Sequence, residues 1–302
     1  MQVVIPLIYS FLVYIGQLFP SYFQLYLDSV AMNTDTLRII LITDNTNIKD
    51  TYRLPNNVIV IIRNIDDILK RAGDVILKDF NQSLPNDITI KPYKLCDFRP
   101  LYPVIFSDII VSHNIASHDF IGWSDCDMIY GKLSNMINIS NYDGIGFYGH
   151  FTALRNIPVL TNIYKGLSSD SITKMISSPL SHQIDEREYV GIITKIGYKK
   201  NIKYYWTQRY IADIIPWMHR KESKHDRNNE IYMLAWRGRR YKFNTSHCLF
   251  NSSSQKLQVF DNEQGYREIL YVHLQKRSMN VTFFNYSNSF NITKTSFIEL
   301  PD

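Results

Sequence analysis

Cysteine is scarce: Cys96, Cys126 and Cys248 are the only three in 302 residues, odd in number and far apart. With no CxxC pair, neither a disulfide framework nor a cysteine-rich zinc site is indicated, and a reducing compartment, the cytoplasm, fits best. Positive charge is missing from the start of the chain, where no Lys or Arg precedes Arg38. The apolar run VVIPLIYSFLVYIGQLF thus lacks the basic flank of a signal peptide. Pro6, Ser10, Gly16 and Gln17 interrupt it, so it reads as a buried strand and loop and no membrane span is expected. Strong net charge is also absent. The 33 Lys+Arg and 28 Asp+Glu leave +5, with the basic residues scattered, which argues against a nucleic-acid partner. There is no P-loop or HD-type cluster to support a nucleotidyltransferase or phosphohydrolase. Sequons at Asn81, Asn138, Asn244, Asn251, Asn280, Asn285 and Asn291 follow from an Asn- and Ser-rich composition and do not decide the compartment.

What is present is core material. At 45% hydrophobic, with 21 Tyr and 16 Phe, the chain can fill a large interior. Short β-branched runs at 3–8, 37–43 and 57–62 alternate with helical spacing over 19–31 and 66–80. A regular helix is expected from Pro103 towards Val111, followed by the strand DFIGWSD. This alternation predicts an α/β fold, a mostly parallel sheet flanked by helices. The second half is less regular, with a strand at 144–149, a helix at 157–167, a charged loop at 219–230 and a hairpin over 231–244 turning near Arg237 and Gly238. No repeat or linker divides the chain. It reads as a single domain, with a nucleotide-binding half at about 1–133 and acceptor-side elements at about 134–302.

The segment GWSDCDMIYGKL closes the strand at 119–125 with Asp125 and Asp127 one residue apart. In extended backbone the two carboxylates share a side and Cys126 takes the other, towards the core. Side by side they repel, and partial burial would raise a carboxylate pKa unless a cation compensates. A hard divalent ion, Mg²⁺ or Mn²⁺, supplies that compensation. Ligands of open α/β sheets gather beyond the carboxyl ends of strands, which is where this pair lies. An isolated DxD in an exposed loop would carry none of this meaning.

The stretch PYKLCDFRPLYPVIFSDII followed by HDFIGWSDCDMIYGKL resembles a family of bacterial and large-DNA-virus glycosyltransferases of the GT-A superfamily, in which a KLCDFKP-like segment and a W-G-x-x-D-x-D-x-x-x-G segment recur in this order. FPSYFQLYLDSV, ITDN, GHFTALRN, DERE and LYVHLQKR extend the resemblance over nearly the whole chain. Asp125, Asp127 and Gly131 follow the pattern, whereas Pro103 replaces the glycine of KPxYG. The resemblance implies a GT-A, Rossmann-like fold, a UDP-sugar or related nucleotide-sugar donor, a bound Mn²⁺ or Mg²⁺, and a glycan or glycoprotein acceptor.

It also implies roles. Asp127 is expected to ligate the metal, with Asp125 acting through the donor ribose, a water or the metal. His273, matched by motif and position, is expected as a further ligand, against a hydrogen-bonded strand histidine. Lys276 and Arg277 would contact the diphosphate, or stand exposed at a strand end. Thr43 and Asp44 end the second strand, where a carboxylate accepts hydrogen bonds from uracil or ribose, or makes a turn. Lys94 and Asp97 fall near the nucleotide by family comparison, although Asp97 also suits a helix cap. Arg99 would offset phosphate charge. Asp185 and Glu186 match a family DE pair and supply the candidate base of an inverting reaction, or simply a solvated helix start. His150 and Arg155 are expected to bind donor sugar or acceptor. A catalytically silent nucleotide-sugar-binding protein is the alternative that fold alone leaves open.

Overall fold

The computed structural model describes residues 5–85, 90–206, 210–213, 231–234, 240–243, 247–261, 265–274, 279–281, 288–293 and 296–300. The first strand is Ile8–Tyr14 (β1) rather than residues 3–8. Pro6 has no N–H to give a ladder, so pairing starts after it. The next strands fall where their β-branched runs place them: β2 (Leu37–Thr43), β3 (Val58–Ile62) and β4 (Phe120–Ser124). They are followed by β5 (Met128–Tyr130), β6 (Gly144–Tyr148), β7 (Phe151–Arg155) and β8 (Tyr204–Trp206). The main sheet has the order β3-β2-β1-β4-β7-β6-β8. All its neighbours are parallel except those of β7, which runs against β4 and β6. The architecture is therefore a mixed, mostly parallel α/β sheet.

Both faces of this sheet are covered, so its central strands are apolar throughout rather than alternating. Ile39 and Leu41 join one core, with Ile8 and Leu12; Ile40, Ile42 and Phe11 join the other. Helix α1 (Phe23–Ala31) covers the first face. It starts later than Phe19, because the Phe23 N–H closes a turn onto the Pro20 carbonyl and Phe19 instead stacks on Phe23 and Tyr14. The opposite face takes α2 (Ile65–Phe80), α3 (Ser169–Ser177) and α4 (Ile184–Lys200). In α2 the Asn64 side chain caps the Asp67 N–H, Ile68, Ala72 and Ile76 face inward at four-residue spacing, and Asn81 ends the helix in left-handed backbone.

Two expected helices are broken up. The helix expected from Pro103 towards Val111 splits at Phe106 into two short α turns, Tyr102–Ile105 and Ser107–Ser112, with Pro103 in the first turn and a 3-10 segment, Pro92–Leu101, before them. Residues 157–167 similarly split into Pro158–Thr161 and Ile163–Gly166.

The rest of the chain is β-rich. Strands β9 (Ile211–Asp213), β10 (Ile231–Leu234) and β11 (Arg240–Phe243) precede β12 (His247–Asn251), β13 (Lys256–Asp261), β14 (Gly265–Glu268) and β15 (Tyr271–His273). The last are β16 (Asn280–Val281), β17 (Phe290–Thr293) and β18 (Ser296–Glu299). They build two further sheets, β11-β10-β9-β15-β5 and β14-β13-β12-β17-β18-β16. The expected hairpin is the antiparallel pair β10–β11; its turn and the charged loop at 219–230 lie outside the described residues. One apolar cluster joins all three sheets, from Leu12 through Val272 to Phe290. Among the described residues no helix is long and apolar enough to cross a membrane.

The contact between β4 and β7 depends on Gly122. A Cβ there would lie 1.8 Å from the Thr152 carbonyl oxygen, and backbone cannot step aside as a side chain can. Gly122→Ala is expected to cost about 3 kcal/mol, the upper end of overpacking penalties. Denaturant melts of the two proteins measure the difference.

Candidate metal centre

Chain order along the sheet reverses beside β1: β2 and β3 lie to one side of it, and β4 to the other. That switch point opens a crevice at the carboxyl ends of β1 and β4. A cavity of about 530 Å³ occupies it. Tyr14, Leu18, Phe19, Tyr22 and Tyr93 give it apolar walls, and Arg99, Asp125 and Asp127 supply its polar end.

The acid loop is held from both sides. The Asp125 N–H donates to the His150 carbonyl at 2.9 Å, and the Asp127 carbonyl accepts from the Leu274 N–H at 2.7 Å. Cys126 between them packs into the core. Immediately after the loop, β5 pairs antiparallel with β15 in a register that sets His273 opposite Met128. A residue from late in the chain is thereby delivered to the acid pair. Ligand atoms of Asp125, Asp127 and His273 lie within 4.8 Å of one another, and all three residues are buried. His273 Nε2 stands 3.6 Å from Asp127 Oδ2, too far for a hydrogen bond between them.

Arg99 organises the charges. Its buried guanidinium pairs with Asp125, donates to Asp185 Oδ2 at 2.9 Å and reaches the Gly149 carbonyl, which also accepts from Trp123 Nε1 at 3.0 Å. Burial pushes the Asp185 carboxyl up to about 6, with Arg99 opposing that rise. His150 is held well below its usual pKa, first by burial and then by His273, so its ring is neutral. Arg99 thus contacts two of the three buried carboxylates, Asp125 and Asp185, while Asp127 faces His273.

Several other expected contacts have partners within the protein. Thr43 is fully buried, its hydroxyl accepting from the Asn45 N–H, and Asp44 accepts from the Gly16 N–H, bracing the turn after β1. Lys94 and Asp97 form a fully buried ion pair at 2.7 Å. Lys94 also donates to the Lys174 and Leu180 carbonyls, while Asp97 accepts from the His182 and Ile184 N–H groups. The pair clamps the 3-10 segment to the start of α4 and faces no ligand: Asp97 does cap a helix, but α4 instead of its own. Arg155 sits opposite Phe120, at the far end of β4 from the acids, paired with Asp143 at 3.2 Å. It is therefore not a donor or acceptor contact at this cavity.

His150 does not face a sugar either. It is buried and stacked on the His273 ring. Of the DE pair, Asp185 is sequestered by Arg99, and Glu186 is exposed, lying so close over Gly149 that a Cβ there would meet its Cγ at 2.4 Å. Lys276 and Arg277 lie outside the described residues. The aromatic cavity walls were not singled out by the sequence, since Phe19 and Tyr22 share the helical spacing of core residues; only the aromatic density of FPSYFQLY signalled them.

Residues 10–301 match a family of unknown function, DUF6625. The chain belongs to this family. No curated protein matches it. The match to the DUF6625 family begins within β1 and runs past β15, covering Arg99, Asp125, Asp127 and His273.

In this DUF6625 protein the Lys94–Asp97 clamp is separable from the acid pair. Lys94→Met strands a buried carboxylate and is expected to cost about 3–5 kcal/mol, as breaking a buried pair does. Urea unfolding of the variant checks the figure.

Proposed function

We propose that the chain is a metal-dependent glycosyltransferase of GT-A type, moving a sugar from a nucleotide-diphosphate donor such as a UDP-sugar to a glycan or protein-linked acceptor. The observation carrying this reading is the buried Asp125–Asp127–His273 group, whose ligand atoms lie within 4.8 Å of one another and whose two acids line a cavity on the sheet's switch point. A divalent cation between the two acids would offset their mutual repulsion. Two carboxylates with one imidazole suit Mn²⁺, and Mg²⁺ less closely. The resemblance of the KLCDFRP and WSDCD segments to such transferases supports the same reading.

A metal held by these residues supplies Lewis-acid stabilisation of the charge that grows on a departing diphosphate. The chain's own groups divide the remaining work. Arg99 fixes Asp125 in place and spends its charge on carboxylates, so it sets the acid pair's geometry instead of gripping phosphate. Tyr14 and Tyr93 offer flat surfaces against which a nucleobase would stack. Because Asp185 is tied to Arg99, Glu186 is the member of the DE pair favoured to take an acceptor proton.

Incubating the protein with a panel of nucleotide sugars and Mn²⁺ is expected to release nucleotide, and chelation to stop it. Donor binding without release would favour the silent binding protein. Asp127→Asn is expected to lower turnover at least about 100-fold, beyond the loss usual for groups that only support a ligand.

Stability separates the metal from the chemistry. At a hundred times its dissociation constant, Mn²⁺ should stabilise the wild type by about 2.7 kcal/mol. In Asp127→Asn, Mn²⁺ should no longer shift the melting temperature. Differential scanning calorimetry with and without Mn²⁺ reads both effects.

A further inference from the structure

We propose that His150 is a positioning residue for His273, an inference that rests on the metal-centre reading above. Tyr271 and His273 are two apart on β15, so their side chains share a face. The His150 ring lies across both. It stacks on His273 with centroids 4.1 Å apart and planes 22° from parallel, and its Nε2 is 3.1 Å from the Tyr271 hydroxyl. Tyr271 is fully buried, so this hydrogen bond fixes the outer edge of the His150 ring from a rigid strand.

The backbone of the same residue holds the first acid. The His150 carbonyl accepts from the Asp125 N–H, and the neighbouring Gly149 carbonyl accepts from Arg99 and Trp123. One short turn before β7 thus orients the histidine through its ring and the acid loop through its main chain. The stacked ring limits the imidazole of His273 to the plane in which Nε2 faces Asp127. A cation then meets a ligand already in place, without the entropy loss of ordering it on arrival.

The stack, not the polar edge, is the orienting contact, which gives the variants distinct outcomes. His150→Ala is expected to weaken Mn²⁺ binding about 10–100-fold, the usual effect of removing a group that supports a metal ligand. His150→Phe keeps a flat ring on His273 and should restore most of the affinity, whereas His150→Gln, keeping only a polar end, should not. Isothermal titration with Mn²⁺ compares the four proteins. Histidine ring resonances of metal-free protein provide a second readout that does not depend on metal. In His150→Ala the His273 signals should lose their ring-current shift and broaden or move towards free-imidazole positions, and in His150→Phe they should remain displaced. Unchanged His273 resonances in His150→Ala, or equal loss of affinity in the Ala and Phe variants, would overturn the proposal. If the wild type binds no Mn²⁺ while His150→Ala still releases His273 in the spectra, the positioning role stands and the metal reading falls.

Discussion

Arg99 stands between Asp125 and Asp185, a guanidinium shared by carboxylates from two different elements. Removing three carboxylates from water costs several kcal/mol each unless partners repay it. The fold offsets part of that cost with the Arg99 guanidinium, which pairs with both Asp125 and Asp185. Each neighbouring feature follows from that arrangement. The 3-10 segment carries Arg99 to the acids, the Lys94–Asp97 clamp holds the segment against α4, and α4 presents Asp185 to the other side of the guanidinium.

How far the sequence announced this differs from residue to residue. The parallel strands β2, β3 and β4 were legible because buried β-branched runs leave an unmistakable pattern, and the acid pair because two like charges at one strand end demand an explanation. Pro6 displaced the boundary of its strand, since a missing N–H acts on pairing one or two residues away from where apolar spacing is read. Charged residues were the least legible. Lys94, Asp97 and Arg155 have the chemistry of ligand contacts, but each is consumed by an internal partner that lies far away in sequence or around a turn. Composition shows that a charge exists and not what it faces.

His273 marks the same boundary from the other side. Nothing in its own neighbourhood distinguishes it from a strand histidine, and only the β5–β15 register sets it beside Asp127. Likeness to a known family brought it forward; periodicity did not. His150 shows the reverse: a residue expected to face substrate turns inward and stacks on that histidine. The proposed function takes its strength from this convergence of distant segments, none of which suffices alone.

The pairing of β5 with β15 has a temporal meaning as well. During synthesis the acid loop leaves the ribosome long before residue 273, so a nascent chain carries its carboxylates without the imidazole. The early strands can assemble around Arg99 in that interval, but the full set of ligand atoms exists only once the late β segments have folded back. On the proposed reading, an unfinished chain would lack the third ligand of the cation site, and competence would arrive together with completion of the fold.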